Sequence, residues 1–230
     1  MMVQEHIRRD HRRRQSPWAI DLEDVRIELG SALELIHHDR WTFGGLRDGR
    51  LRVLAESRND GRLSNPRYRE LSPLARRALY ERSPLAFSSL VGPPPQFGGD
   101  IWDEKAAAVL YAPVGIPNNR PVGILMVGCG QPTWYDDEDV AYVAQLAGAL
   151  TVCVLTFCGP LARLTVGERR LVQLLAEGLA DQEIAAALGM APEEASGAVA
   201  AVIRKLSLRS RRAVHQLLPE GVVSGGAYLL

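Results

Sequence analysis

Gly159-Pro160 divides a chain of 230 residues into two stretches with different periods. Upstream, several short runs alternate polar and apolar residues or are apolar throughout, as strands are; downstream, apolar residues recur at three and four, as one face of a helix requires. The pattern predicts two domains. Residues 18–158 form an α+β domain, an antiparallel sheet flanked by helices, and residues 164–220 form an all-α domain. Residues 159–163 link them, with a basic arm at 1–17 and a flexible tail at 221–230.

Within the first domain, Leu22, Val25, Leu29, Ala32, Leu33 and Ile36 give a helix between Asp21 and Asp39 one apolar stripe. Arg40 to Leu46 and Leu51 to Glu56 alternate around Asp48-Gly49, a pair that tolerates the positive φ of a hairpin turn. Ser72-Pro73 opens a helix with a capping hydroxyl and a proline where its missing N–H costs nothing, and Pro84 stops it. Leu85 to Leu90 is strand-like, and the Gly92-Pro93-Pro94-Pro95 to Gly98-Gly99 segment is a loop able to cover a pocket. Ala106 to Val114 and Pro121 to Cys129 pair as central strands about a turn at Pro117-Asn118-Asn119, and Thr133 to Asp137 caps one long helix reaching Phe157.

This order resembles a GAF domain over Trp18 to Cys158, through Ser72 to Leu85, Ala112-Pro113-Val114 with Pro121-Val122-Gly123-Ile124-Leu125, and Trp134 to Asp139. The resemblance implies a sensory module with a signal pocket on the loop-bearing face and a terminal helix that pairs between subunits. It names neither ligand nor cofactor. Candidate pocket residues are Trp41, Phe43, Phe87, Trp102, Tyr111 and Met126, aromatic and flexible side chains that suit an apolar ligand and equally fill an ordinary core. His37 and His38 read as surface or capping groups.

Downstream, Thr165 stands three residues ahead of Glu168, a capping box, and Glu177-Gly178 ends that helix. Asp181 to Gly189 reads as a short helix from an Asp cap to a Gly stop, and Pro192 starts a third helix with Ala195, Val199, Val202 and Leu206 on its inner face. Two helices joined by a tight turn around Gly189 have helix-turn-helix spacing.

Here the sequence resembles the C-terminal domain of the LuxR family, through Leu164-Thr165, Glu168, Leu175-Ala176-Glu177-Gly178, Glu183-Ile184-Ala185, Leu188-Gly189, Arg204-Lys205-Leu206 and Arg209-Ser210-Arg211. The resemblance implies a dimerising DNA-binding module of four helices that lays the third, Pro192 to Leu206, in the major groove. It rests on a scaffold of Thr165, Glu168, Gly178, Ile184, Ala185, Gly189, Val199 and Leu206, and makes Ser196, Arg204, Lys205, Arg209, Arg211 and Arg212 the candidate DNA contacts. The family's Ser cap is replaced by Ala191, and its Thr-Val-Lys and His are missing from Glu194-Ala195-Ser196 and Ala198. Ala191 and Gly197 each weaken the helix by about 1 kcal/mol, and the outward Glu193, Glu194, Ser196, Gly197, Ala200, Ala201 and Arg204 offer few base-edge donors. DNA binding is therefore expected to be weak or nonspecific.

Charge bears on the same point. Formal net charge is zero, and from Leu161 onward eight Arg or Lys face seven Asp or Glu, so any affinity for nucleic acid must be local. Cys129, Cys153 and Cys158 lie in apolar runs without metal spacing, reading as reduced core thiols and arguing against a GAF-fold methionine sulfoxide reductase, which needs an accessible low-pKa cysteine. No uninterrupted apolar run approaches about 18 residues, and Arg8 to Arg14 are followed by no apolar stretch. The expectation is a cytoplasmic, homodimeric, non-enzymatic regulator with no membrane partner, sensing a small molecule and binding DNA. The alternative is a signalling protein whose degenerate helix-turn-helix serves dimerisation or partner docking.

Overall fold

The computed structural model describes residues 21–57, 68–90, 106–116 and 119–217. They fall into two compact units that divide between Gly159 and Pro160. The arginine-rich arm, Trp18, Trp102, the loop at 92–99, Pro117-Asn118 and the tail at 221–230 lie outside the described residues.

The first unit runs α1 (Leu22–Leu33), β1 (Arg40–Arg47), β2 (Arg50–Glu56), β3 (Tyr68–Arg69), α2 (Pro73–Glu81), β4 (Leu85–Ser88), β5 (Ala108–Val114), β6 (Gly123–Cys129), α3 (Asp137–Ala149) and α4 (Thr151–Phe157). The strands form one antiparallel six-stranded sheet ordered β3-β2-β1-β6-β5-β4, the α+β arrangement that the alternation predicts. β6 is buried along its whole length, which is why its sequence is apolar rather than alternating. Asp48 and Gly49 turn the β1–β2 hairpin with φ of 52° and 76°, the left-handed geometry that matches strand twist. β3 was not anticipated; two residues are too few to carry a period.

Two helix boundaries differ from expectation. α1 stops at Leu33, and Ile36 still reaches the core because a turn with its N–H on the Leu33 carbonyl carries it there. The long helix expected up to Phe157 is divided at Leu150, between α3, capped by Asp136 with Asp139 reaching back, and α4. The division seats α4 on β1: a Cβ on Gly45 would lie 2.5 Å from the Cys158 Cβ, so only glycine permits that approach. Asp137–Arg163 contains an 18-residue window of mean hydropathy 1.9, long and apolar enough to cross a membrane by length and composition. The run is not uninterrupted, since Gly, Thr and Gln break it, but none of them adds charge. Half of the window is buried, with Val143, Leu146, Ala147 and Val154 in the core.

The second unit is helical. A 3-10 turn (Pro160–Arg163) precedes α5 (Val166–Ala176), α6 (Asp181–Leu188), α7 (Pro192–Lys205) and a second 3-10 segment (Arg211–Gln216). The fourth helix expected here is that 3-10 segment, whose Val214 is buried. The buried stripe is Leu171, Leu174 and Leu175 on α5, Ile184 and Ala185 on α6, and Ala195, Val199 and Val202 on α7.

Candidate functional site

Directly paired residues of an antiparallel sheet project from the same face, and that rule sorts the predicted pocket residues. Leu85 pairs with Tyr111, Tyr111 with Met126, and Met126 with Thr42, while Phe87 pairs with Val109. Phe87, Tyr111 and Met126 therefore share a face, where Leu71, Leu74, Ala75 and Ala78 of α2 and the segment before it cover them. Trp41 and Phe43 pair with Val127 and Leu125 and project from the opposite face; a Cβ on Gly30 of α1 would sit 3.8 Å from the Trp41 ring. One pocket cannot contain all of them, and Trp41 and Phe43 are core residues beneath α1. Alternation alone does not reveal which parity of a strand faces which layer when both faces are covered.

Beside Tyr111 and Met126, on the α2 face, lies a polar group that sequence reasoning missed. Thr42 is opposite Glu56 across β1 and β2, and Arg69 of β3 is opposite Leu51. The Arg69 guanidinium donates to Glu56 Oε2 at 2.5 Å and to the Thr42 hydroxyl at 3.4 Å. Glu56 and Thr42 are buried and the Arg69 side chain is 19% exposed. Arg40, paired with Gly128, belongs to the same face and holds Asp39 at 3.2 Å. At the edge of the apolar part, the Ser72 hydroxyl caps α2 by accepting from Ala75 N and donates to the Tyr111 phenol oxygen at 3.4 Å.

Withdrawing a carboxylate and a guanidinium from water costs several kcal/mol per ion before their attraction offsets it. The face thus combines an apolar half under α2 with a charged, hydrogen-bonding half on β1, β2 and β3. Such a mixture can orient a small polar molecule that also carries apolar surface. The only sequence signal was weak: a glutamate closing a strand and an arginine in a run too short to read.

The cysteines stand away from this group. Cys129 pairs with Ala108, on the Trp41 face, and Cys158 lies against Gly45. Burial, with Cys158 nearby, pushes the Cys153 thiol up to about 12. Burial also raises Cys158, against the opposing pull of Arg52. Thiols held this way are poor nucleophiles at neutral pH. Tyr135, whose hydroxyl donates to the His37 carbonyl, is likewise raised chiefly by burial. Among the described residues no cluster of three His, Cys, Asp or Glu could hold a metal ion.

In the helical unit the predicted scaffold can be followed residue by residue. The Thr165 hydroxyl accepts from Glu168 N, and Glu168 Oε2 accepts from Thr165 N at 2.8 Å, closing a capping box. Gly178 and Gly189 take φ of 83° and 66°, and Gly189 turns the chain from α6 toward α7. Ile184, Ala185, Val199 and Leu206 are buried. Asp181 is not the cap of α6; Ala180 is, and Glu183 Oε2 accepts its N–H at 2.6 Å. The Asp181 carboxylate instead receives Arg211, which also donates to the Leu179 carbonyl.

The candidate DNA contacts divide accordingly. Lys205 donates to Glu168 Oε1 at 2.5 Å and Arg211 is held by Asp181, so both join elements of their own unit. The Lys205 hydrogen bond is the main reason the Glu168 carboxyl sits below its ordinary range. Ser196, Arg204, Arg209 and Arg212 are exposed, as are Glu193, Glu194, Gly197 and Ala200, whereas Ala201 is half-buried. Ala191, as N-cap of α7, offers no side-chain bond, and only Glu194 reaches back to its N–H, at 3.1 Å.

No family model and no curated protein matches the chain. Among solved structures, it is similar to the GAF domain of a two-component sensor histidine kinase from Bacillus halodurans, at 23% identity and TM-score 0.44, over 59% of this chain and 95% of that one. The type II free methionine-R-sulfoxide reductase from Thermoplasma acidophilum aligns at 18% identity and TM-score 0.45, over 60% and 97%. The phycocyanobilin-bound GAF domain from a cyanobacterial phytochrome aligns at 18% and 0.46, over 70% and 97%.

Proposed function

We propose that the chain is a cytoplasmic, homodimeric transcriptional regulator in which a GAF-like unit senses a small molecule and a LuxR-type helix-turn-helix unit binds DNA. The observation that carries the sensing half is the Glu56, Arg69 and Thr42 group beside Tyr111 and Met126, a charged constellation on a face that is otherwise apolar. Replacing a buried ion pair by apolar residues of similar size is often neutral for stability, so a pair kept at this cost suits recognition. Support for the output half is the short α6, the left-handed Gly189 and the exposed face of α7. A ligand shifts such a regulator only if it binds two states of the dimer with different affinity. The chain acts without catalysis in this reading, in keeping with thiols raised by burial.

The experiment is native mass spectrometry of the full chain, wild type beside Glu56→Leu/Arg69→Met. A small-molecule mass retained by the wild type and lost by the folded double variant is the expected result. A bare wild-type mass, or equal retention by both, counts against the sensing site.

A second reading has its own observation. Glu193 and Glu194 are exposed on the first turn of α7, where phosphates would approach. That favours a helical unit used for dimerisation or partner docking. Filter binding to duplex DNA at about 50 and about 200 mM salt separates the two, because backbone affinity falls steeply over that range.

A further inference from the structure

We infer that the helical unit grips the phosphate backbone of duplex DNA through Arg204, Arg209 and Arg212 and does not read base sequence. The inference rests on the DNA-binding reading above and assigns the contact surface within it.

From Ala195 to Leu217 the chain has no Asp or Glu, yet it carries Arg204, Lys205, Arg209, Arg211 and Arg212. Two of these cations are matched within the unit, Lys205 by Glu168 and Arg211 by Asp181. Arg204, Arg209 and Arg212 are exposed. They fall within nine consecutive positions, 204–212, across the end of α7. Ser207 takes φ of 55°, Ser207 N donates to the Arg204 carbonyl, and Leu208 N donates to the Ile203 carbonyl, a left-handed closure that turns the chain at the end of α7. Arg209 therefore follows directly on that turn, Arg212 stands in the first turn of the 3-10 segment beyond it, and Ser207 and Ser210, both exposed, lie in the same short stretch.

The other end of α7 carries the opposite charge. Glu193 and Glu194 suit the helix N-terminus, where the dipole is positive, but they repel phosphates. Between the two ends the exposed positions are Ser196, Gly197 and Ala200, none able to make the two-pronged hydrogen bonds that distinguish one base pair from another. A helix charged and furnished in this way tilts its C-terminal end toward a duplex. Its contacts then go to phosphates, which position a protein without specifying sequence.

The test is fluorescence anisotropy of the full chain against two unrelated labelled duplexes of equal length across a salt series. The wild type is expected to bind both within about threefold, against the roughly thousandfold or more that separates specific from nonspecific binding. Three phosphate contacts predict a log–log salt slope near −2.7, at about −0.9 per contact. Arg204→Gln/Arg209→Gln/Arg212→Gln is expected to lose at least about tenfold in affinity and nearly all of that slope. Glu193→Gln/Glu194→Gln, which removes only repulsion, is expected to tighten binding to both duplexes equally. Unchanged affinity and slope in the triple variant, or a preference above about a hundredfold for one duplex, overturns the inference while leaving DNA binding intact. Binding to neither duplex at low salt defeats the DNA-binding reading itself. Arginine-dependent binding to phosphatidylserine vesicles in place of DNA overturns the inference by assigning the patch to a membrane surface.

Discussion

Gly45 in β1 and Gly197 in α7 are the same residue under opposite constraints. At Gly45 a methyl group would collide with the Cys158 side chain and reach within 2.9 Å of Val154, so the close seating of α4 on the sheet depends on that hydrogen. At Gly197 nothing lies within 4 Å of where a Cβ would be, and the residue only lowers helix propensity. The sheet unit is built by interlocking and tolerates little. The helical unit is built by capping and ion pairs around a thin apolar stripe, and α7 there lacks a side-chain cap and carries Gly197 in its interior. The face that would meet a partner therefore lies on the less constrained of the two units.

In the sheet unit the costliest single change is at the ion pair. Arg69→Met removes the guanidinium that donates to the buried Glu56 carboxylate at 2.5 Å and is expected to cost the sheet unit about 3 kcal/mol, read by urea unfolding through tryptophan fluorescence. A loss under about 1 kcal/mol, the range of exposed pairs, would mean that the Arg69 contact does little to hold Glu56 on the buried face. Next in size, Gly45→Ala is expected to cost about 2 kcal/mol by overpacking, with hydrogen exchange accelerating in α4. Unchanged exchange there would mean that α4 does not rest on Gly45.

Much of the architecture was legible because its signals are local. The Asp48-Gly49 turn, the Ser72-Pro73 start and the Thr165/Glu168 box each need only neighbours three or four residues away, and each stands where the residues indicate. Long-range facts were not legible. Asp181 looks like a cap until Arg211, thirty residues later, claims its carboxylate. Lys205 reads as one more exposed cation until Glu168, 37 positions earlier, is found beside it. Trp41 and Phe43 look like pocket residues until pairing with β6 sends them to the other side of the sheet. The break at Leu150 is invisible to periodicity, since the buried stripe continues through it.

Substitutions in the helical unit are expected to stabilise it instead. Ala191→Ser supplies the missing cap and is expected to stabilise α7 by about 1 kcal/mol, and Gly197→Ala by about 0.8 kcal/mol. Both are measured as slower amide exchange in α7. Faster exchange in either variant would show that α7 meets a constraint absent from its surroundings here. The smallest effect concerns pH. Glu168 is held below its ordinary carboxylate range mainly by Lys205, so its contribution is present above that range and is lost as pH falls through the lowered folded value. Glu168→Gln should flatten that acid limb of the helical unit's stability; an unchanged limb would mean that the Lys205 contact is screened away.

Everything proposed for the helical unit requires that the full chain bind duplex DNA. A fluorescence anisotropy titration at low salt is expected to rise to saturation and to collapse toward baseline when salt is raised. A flat trace at low salt, from protein whose helical unit is folded by hydrogen exchange, would contradict it.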